Sequence, residues 1–392
     1  MVSIARKNLF QDLPRFIVAQ AGIMFAVGLV TIQMGLLNGF TRSSSLLTDS
    51  STADIWVASQ ELRYLDLTLP IPYERLEQAR NVNGVEQAEA LITQGSVWRY
   101  GISQIAPIRI VGFDPEGELF QPEPLIEGSW AELNNPYAIA IDRLDLTTLD
   151  VTGLGDTSEI GSFRTDVVAI TSGIRSIVSS PFVFTSLNNA TAFLNSPVAA
   201  PVSDPPVPPE LQPESLITFV LVKARPDENL QQLKRRLEVA LPDVMALTQD
   251  ELADLTQDYW RQSTGVGFIL GLGAVVGIIV GTVVVGQILY SSVSDHLREF
   301  GTLKAMGSSD WFIYRIILEQ ALWMAVLGYL PGMALCLGVG AWTLEAQAVQ
   351  ILIGPTTAVG VFVVTVAMCS GAAVFAIQKV TRLDPAVVFK SS

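Results

Sequence analysis

Four long apolar stretches divide this chain into parts of different character. Residues 16–41 hold no charge over 26 positions, and residues 263–294 hold none over 32. A third stretch, 312–344, carries only Arg315 and Glu319 near its start, with Pro331 as an expected kink, and a fourth, 356–378, carries no charge. About 20 apolar residues cross a bilayer as a helix, so the pattern predicts spans at 16–40, 263–290, 312–344 and 356–378. The first run competes with a secretory signal, whose apolar part covers only about 7–15 residues before a small-residue cleavage site. Here the run is longer and continues into Gly39-Phe40-Thr41-Arg42, which favours an uncleaved anchor. Residues 1–15 mix Arg6, Lys7 and Asp12 with Ile4, Leu9, Phe10 and Leu13, as a short amphipathic segment on the membrane surface does.

Between the first two runs the pattern changes to that of a folded soluble domain, residues 41–262. Strands are predicted at 53–58, 85–97 and 105–113, and a helix at 73–80. A strand at 216–224, a helix at 228–241 and a strand at 244–247 repeat the strand–helix–strand order of 53–97. The two pieces, 41–115 and 214–250, mirror each other and flank a strand-rich insertion, 116–213. The fold class is thus an α+β membrane protein: four transmembrane helices, and a large domain between the first and second. Residues 250–262 are expected to continue as a helix into the second span. The segment 197–213 is proline-rich and extended, a linker or a partner-binding strip. Asp142, Asp145, Asp150, Asp156, Glu159 and Asp166 are strewn along the insertion. Their spacing matches no calcium loop and reads as solvated surface.

Residues 291–311, between the second and third runs, alternate charge with apolar positions. Val293, Leu297, Phe300 and Lys304 share one face of a short helix. Gly307 then reads as a stop, and Ser308-Ser309-Asp310 as the cap of a helix beginning near Trp311. Such a helix either turns the chain at the membrane surface or docks on something beyond it.

Composition sharpens this picture. The 392 residues are 49% hydrophobic and 16% charged, against roughly 25% charged in soluble domains. The net charge of −14 speaks against nucleic acid as a partner. Residues 41–262 carry 31 acidic and 15 basic residues, leaving the remainder weakly basic. Arg6, Lys7, Arg15, Arg298, Lys304, Lys379, Arg382 and Lys390 all fall on one side of a four-span layout, and the short loop 345–355 on the other side has no Lys or Arg. The positive-inside rule makes the first side cytoplasmic: both termini, the 291–311 helix and the tail 379–392 lie inside, and the acidic domain lies outside.

Chemistry is sparse. No G-x-x-x-x-G-K-[ST] motif cradles a nucleotide. One histidine, His296, and two cysteines inside apolar runs, Cys336 and Cys369, offer neither a zinc site nor a Cys–His pair, and no cofactor or metal is expected in this chain. Glu319 is a carboxylate inside a span, one turn from Arg315, and so either a functional group or an ion-paired one. Gly273, Gly277 and Gly281 form a small-residue face, for packing within one subunit or along a dimer seam.

The string Arg298-Glu299-Phe300-Gly301-Thr302-Leu303-Lys304-Ala305-Met306-Gly307, followed by a helix with Glu319, resembles the signature of the FtsX/MacB-type permeases, membrane subunits of ABC transporters. Arg382-Leu383-Asp384-Pro385-Ala386 resembles their C-terminal ending, and the two flanking units resemble the MacB-like porter lobe with its insertion. The resemblance implies that Val293, Leu297, Arg298, Glu299, Phe300, Gly301, Leu303, Lys304, Met306 and Gly307 couple to a separate cytoplasmic ABC ATPase, which holds the ATP and Mg. It also implies an inner-membrane homodimer whose outer domain drives export through a periplasmic adaptor and a TolC-like outer-membrane channel. Asn8-Leu9 and the compact outer domain look most like the DevC group of cyanobacterial exporters, with DevA-like and DevB-like partners and glycolipid cargo. Two other roles stay open: an FtsX-like regulator of cell-wall hydrolases, and a membrane sensor whose outer domain binds a ligand.

Overall fold

The structure is a computed structural model that describes residues 13–101, 104–122, 124–175, 179–196, 202, 205–263, 265–295, 297–347 and 351–381. The amphipathic segment expected before residue 13, the Arg382–Ala386 ending and part of the proline-rich segment lie outside those residues. The chain forms two compact units, one of Met1–Gly39 with Gly265–Ser392 and one of Phe40–Thr264.

A single helix, α1 (Leu13–Ser44), runs from the first unit into the second. The second unit continues with β1 (Ile55–Ser59), β2 (Ile71–Pro72), α2 (Glu74–Arg80), β3 (Val85–Tyr100), β4 (Gln104–Phe113) and β5 (Leu125–Gly128). Then come β6 (Ala138–Asp142), β7 (Thr157–Ile160), β8 (Phe163–Thr171), β9 (Phe182–Ser186) and α3 (Leu187–Leu194). It ends with β10 (Leu216–Ile217), β11 (Phe219–Ala224), α4 (Leu230–Ala240), β12 (Val244–Thr248) and α5 (Gln249–Ser263).

The repeated strand–helix–strand units interleave. β11 lies between β1 and β3, and β1 lies between β11 and β12, all antiparallel. This is the double split-βαβ arrangement of ferredoxin-like folds. Ile55 and Val57 pack with Leu76 of α2 and with Leu233 and Leu237 of α4, while Trp56 and Ala58 pack on the opposite face with Leu65 and Leu252. Both faces of β1 are therefore covered, and all five of its residues are buried. Asn229 caps α4, its Oδ1 accepting the N–H of Gln232 at 3.1 Å.

β3 is long enough to serve two ladders. Its residues 85–91 pair with β11 and its residues 92–100 with β4, so the lobes meet inside one strand and not at residue 115. Beyond that point the strands close on themselves: β3–β4–β9–β6–β8–β7 and back to β3. Closure removes the open edges a sheet would otherwise expose. The insertion lobe is thus a small barrel, with Trp98, Ile110, Ile141 and Val183 in one buried core and Trp98 Nε1 donating to the Leu149 carbonyl at 3.0 Å. Asn189 of α3 stitches its rim, with Nδ2 donating to the carbonyls of Leu133 and Asn135 and Oδ1 accepting from Tyr137 N–H.

Two expectations need correction here. Asp142 and Asp145 are wholly buried, not solvated. Asp142 accepts from Leu144 N–H and Ile174 N–H, serving as a backbone clamp at the end of β6. Asp145 lies 3.1 Å from Arg175 Nε with no hydrogen bond to either carboxylate oxygen, and loss of hydration lifts its pKa to about 6. Among the described residues no cluster of acidic, His or Cys side chains could hold a metal ion. The second correction concerns α5, which does not run into the next span: Gly265 takes φ +65°, a left-handed turn that ends one helix before the next begins.

The first unit holds α6 (Val266–Asp295), α7 (Leu297–Ala305), α8 (Asp310–Gln347) and α9 (Pro355–Thr381) besides most of α1. Among the described residues four helices are long and apolar enough to cross a membrane: Phe16–Ser44, Val266–Asp295, Asp310–Thr343 and Pro355–Ile377. α8 continues through Pro331. The glycine face of α6 is spent inside this subunit. A Cβ on Gly281 would lie 2.6 Å from that of Ala26, and one on Gly277 would lie 3.1 Å from Leu29 Cδ2. Gly22 meets Val284 and Gly273 meets Gln33, so α1 and α6 run antiparallel at close range. Ile23 meets Gly328, and Val27 meets Gly332, so α1 and α8 run parallel. Cys336 and Cys369 are buried packing residues. The turn before α9 clasps α1: Leu352 N–H donates to the Gly35 carbonyl at 3.0 Å, and Asn38 Nδ2 to Thr357 Oγ1 at 2.9 Å.

Candidate coupling site

The nine residues of α7 sit between two membrane helices and cannot hold a helix by themselves, since isolated helices this short are marginal in water. Packing supplies the missing stability. Phe300 is 2% exposed and joins Val293, Ile313, Ile316 and Ile317 in one cluster. Burying a phenylalanine side chain contributes about 1.5–3 kcal/mol, enough to seat one turn of helix.

The exit from α7 follows its residue types. Gly307 has φ +92°, a conformation in which a side chain is strained, and its N–H donates to the Lys304 carbonyl at 3.0 Å. α8 restarts at Asp310, with Phe312 N–H donating to the Ser309 carbonyl at 3.0 Å. Lys304 Nζ reaches back over this turn to Asp310 Oδ1 at 2.8 Å. The lysine side chain is 15% exposed and the aspartate 53%, so this is a half-sheltered ion pair placed at the positive end of α8. Phe300 and the Lys304–Asp310 pair together tie α7 to the start of α8.

The outward side is different in character. Met306 is 70% exposed and Trp311 74%, with Phe312, Glu299, Thr302 and Arg315 exposed as well. A large indole and a thioether left uncovered by their own chain around a short helix are what a docking surface offers a partner.

Not every residue expected to contact a partner is exposed. Val293, Phe300 and Gly301 are buried in the subunit's own core, because the apolar stripe that marked the helix is the stripe that seats it. Glu299, Met306 and Gly307 are exposed. The side chains of Leu297, Arg298 and Leu303, and the whole of His296, lie outside the described residues. Glu319 is half-buried on α8. Sequence reasoning did not single out Trp311 and Phe312, which the structure leaves exposed beside α7. Their signal was available: two aromatics in the first turn after a Gly-Ser-Ser-Asp stop stand at a helix rim, where tertiary packing is thin.

Residues 16–240 match the model of the MacB-like periplasmic core domain, and residues 271–385 match that of the FtsX-like permease C-terminal region. The chain belongs to the MacB/FtsX-type permeases of ABC transporters. It is 25% identical over 375 residues to an uncharacterised ABC transporter permease of Mycobacterium tuberculosis, covering 95% of this chain and 94% of that one. It is 28% identical over 180 residues to the pyoverdine export ATP-binding/permease protein of Pseudomonas syringae pv. syringae, a match that takes in 44% of this permease and 27% of that longer protein. Two solved structures resemble part of it. The extracellular domain of the ABC-type transporter YknZ from Gram-positive bacteria aligns with TM-score 0.34 at 11% identity, over 49% of this chain and 98% of that domain. The periplasmic region of MacB from Actinobacillus actinomycetemcomitans aligns with TM-score 0.34 at 12% identity, over 52% and 92%. This permease is a membrane protein with four spanning-capable helices and a MacB-like periplasmic domain.

Proposed function

We propose that this permease is the membrane half of an ABC exporter that converts ATP hydrolysis on a separate cytoplasmic ATPase into motion of its periplasmic domain. The observation that carries the proposal is the exposed Met306–Trp311–Phe312 rim around a helix anchored inward by Phe300. The P. syringae relative is by name both ATP-binding and permease, whereas this sequence has no phosphate-binding loop. In this reading a partner chain holds the nucleotide and its Mg.

Mechanically, closure of two ATPases in a homodimeric assembly presses on the exposed side of α7. The Phe300 contact and the Lys304–Asp310 pair pass that displacement to α8. α6 ends at Asp295 and begins just after the periplasmic unit, and α1 leads into that unit's other end, so a shift of these two helices is felt at both chain connections. Both termini and α7 face the cytoplasm in this scheme, by the distribution of Lys and Arg around the spans. Cargo leaves through a periplasmic adaptor and an outer-membrane channel without passing between the four helices. By likeness to the DevC group, that cargo is a glycolipid.

The test is co-purification of the full chain in mild detergent from cells at native expression. The wild type is expected to bring an ABC ATPase, and the Met306→Asp/Trp311→Asp double variant to lose most of it while still inserting and folding. Equal recovery of the ATPase with both proteins overturns the assignment.

A further inference from the structure

Four aromatic rings gather where the periplasmic unit begins and ends. Tyr64 stacks on Tyr259 with centroids 4.0 Å apart, and Trp260 meets Tyr64 edge-on at 5.8 Å and Phe40 at 5.8 Å. The four come from three places in the chain: Phe40 from α1, Tyr64 from the loop 60–70, and Tyr259 with Trp260 from α5. The loop is held firmly. Leu62 and Leu65 are buried, Leu65 N–H donates to Thr256 Oγ1 at 3.1 Å, and Asp66 pairs with Arg109 at 3.1 Å. Tyr64 and Leu67 close its tip, and Leu67 and Leu69 are left 50% and 54% exposed.

An ordered loop that presents two leucines outward from an aromatic cluster calls for a cover. The chain itself says what lies nearby. α1 is uninterrupted from Leu13 to Ser44 and uncharged from Phe16 to Thr41. Those 26 residues rise about 39 Å, more than the roughly 30 Å of hydrocarbon, which puts Phe40 in the headgroup layer. Trp260 stands six residues before α6 enters the membrane. Tyrosine and tryptophan favour that layer, where one end of the ring is apolar and the other wet. An exposed arginine follows or precedes each element of the cluster: Arg42 after Phe40, Arg63 before Tyr64 and Arg261 after Trp260. Arginine at this depth suits phosphate headgroups, though Asp258 lies 3.8 Å from Arg261 and takes up part of its charge.

We propose that the loop 60–70 is a membrane-surface anchor of the periplasmic unit, with Leu67 and Leu69 inserted at the headgroup–acyl boundary of the outer leaflet and the Tyr64–Tyr259–Trp260–Phe40 cluster as its interfacial base. It gives the periplasmic unit a lipid contact besides the two helices that connect it. The proposal needs only that α1 spans the membrane. It stands or falls independently of the ATPase partner.

The experiment uses the full chain in phospholipid nanodiscs, carrying a single environment-sensitive fluorophore on Leu67→Cys, on Leu69→Cys, or on Val207→Cys as a control. Val207 is 81% exposed in the proline-rich segment, and both native cysteines are fully buried, so labelling is selective. With labels at 67 and 69, doxyl-labelled lipids should remove most of the emission and aqueous iodide little of it. At 207 the pattern should reverse. Iodide quenching at 67 and 69 equal to that at 207 overturns the proposal. Shielding from both quenchers also overturns it, because protein then covers the loop.

Discussion

Asp145 has almost no water to hydrate its charge and no hydrogen bond to replace it, while Asp142, three residues earlier, has two backbone N–H groups. Burial therefore lifts Asp145 to about 6, against the partial relief of Arg175 at 3.1 Å. The folded chain binds this proton more tightly than the unfolded chain does. The resulting stabilisation is complete below an unfolded aspartate's pKa of about 4 and is lost as pH rises through about 6, with a ceiling of about 3 kcal/mol. Thermal unfolding of the wild type should shift upward on acidification from pH 7.5 to pH 5, and Asp145→Asn should show a smaller shift. Asp142, Glu89 and Asp66 are raised in the same direction, so the difference between the two proteins is the informative quantity. An equal shift in both would mean that Asp145 is not the group responsible. Nothing in the spacing of the acidic residues distinguished the buried pair from Asp150 and Asp166, which are exposed, because burial in a barrel depends on strands far apart in sequence.

At the scale of elements, α6 shows how a repeated residue type acquires a direction. Gly273, Gly277 and Gly281 alone left two uses open, and the approach of Ala26, Leu29 and Gln33 resolves them into contacts within one subunit. Gly281→Leu should lower the thermal stability of the detergent-solubilised protein, as overpacking of a close interface costs about 1–3 kcal/mol. Gly271→Leu should be near neutral, since a Cβ there meets nothing within 4 Å. Matching losses in both variants would contradict the packing assigned to this face. α7 carries the same lesson. Its stripe of Val293, Leu297, Phe300 and Lys304 announces an amphipathic helix, but periodicity cannot say whether the stripe meets its own subunit or a partner. Phe300 answers inward, and the side left exposed is made by residues outside the stripe, Met306 and Trp311.

For the whole molecule, local signals were read well and distant pairings poorly. The four membrane helices were legible because uncharged runs of that length have few other uses. The two strand–helix–strand units of the α/β lobe were legible from their repeated order, and their joining into one lobe from the likeness to the MacB group. The barrel was not, because its closure rests on the parallel pairs β4–β9 and β6–β8 and on a two-residue contact of β7 with β3. The aromatic cluster was equally hidden, because Phe40 and Tyr64 stand about 200 residues before Tyr259 and Trp260 in the chain. Family membership followed from one short string and from layout, and the matches over residues 16–240 and 271–385 establish it. What the permease drives, and by what contact, is a property of the assembly. The most direct measurement is photo-crosslinking in intact cells from a benzophenone amino acid placed at position 311. The account predicts a crosslinked product between this chain and an ABC ATPase, strengthened or weakened by the nucleotide state. Crosslinks to lipid alone, or to a second copy of this chain with no ATPase among the products, would contradict it.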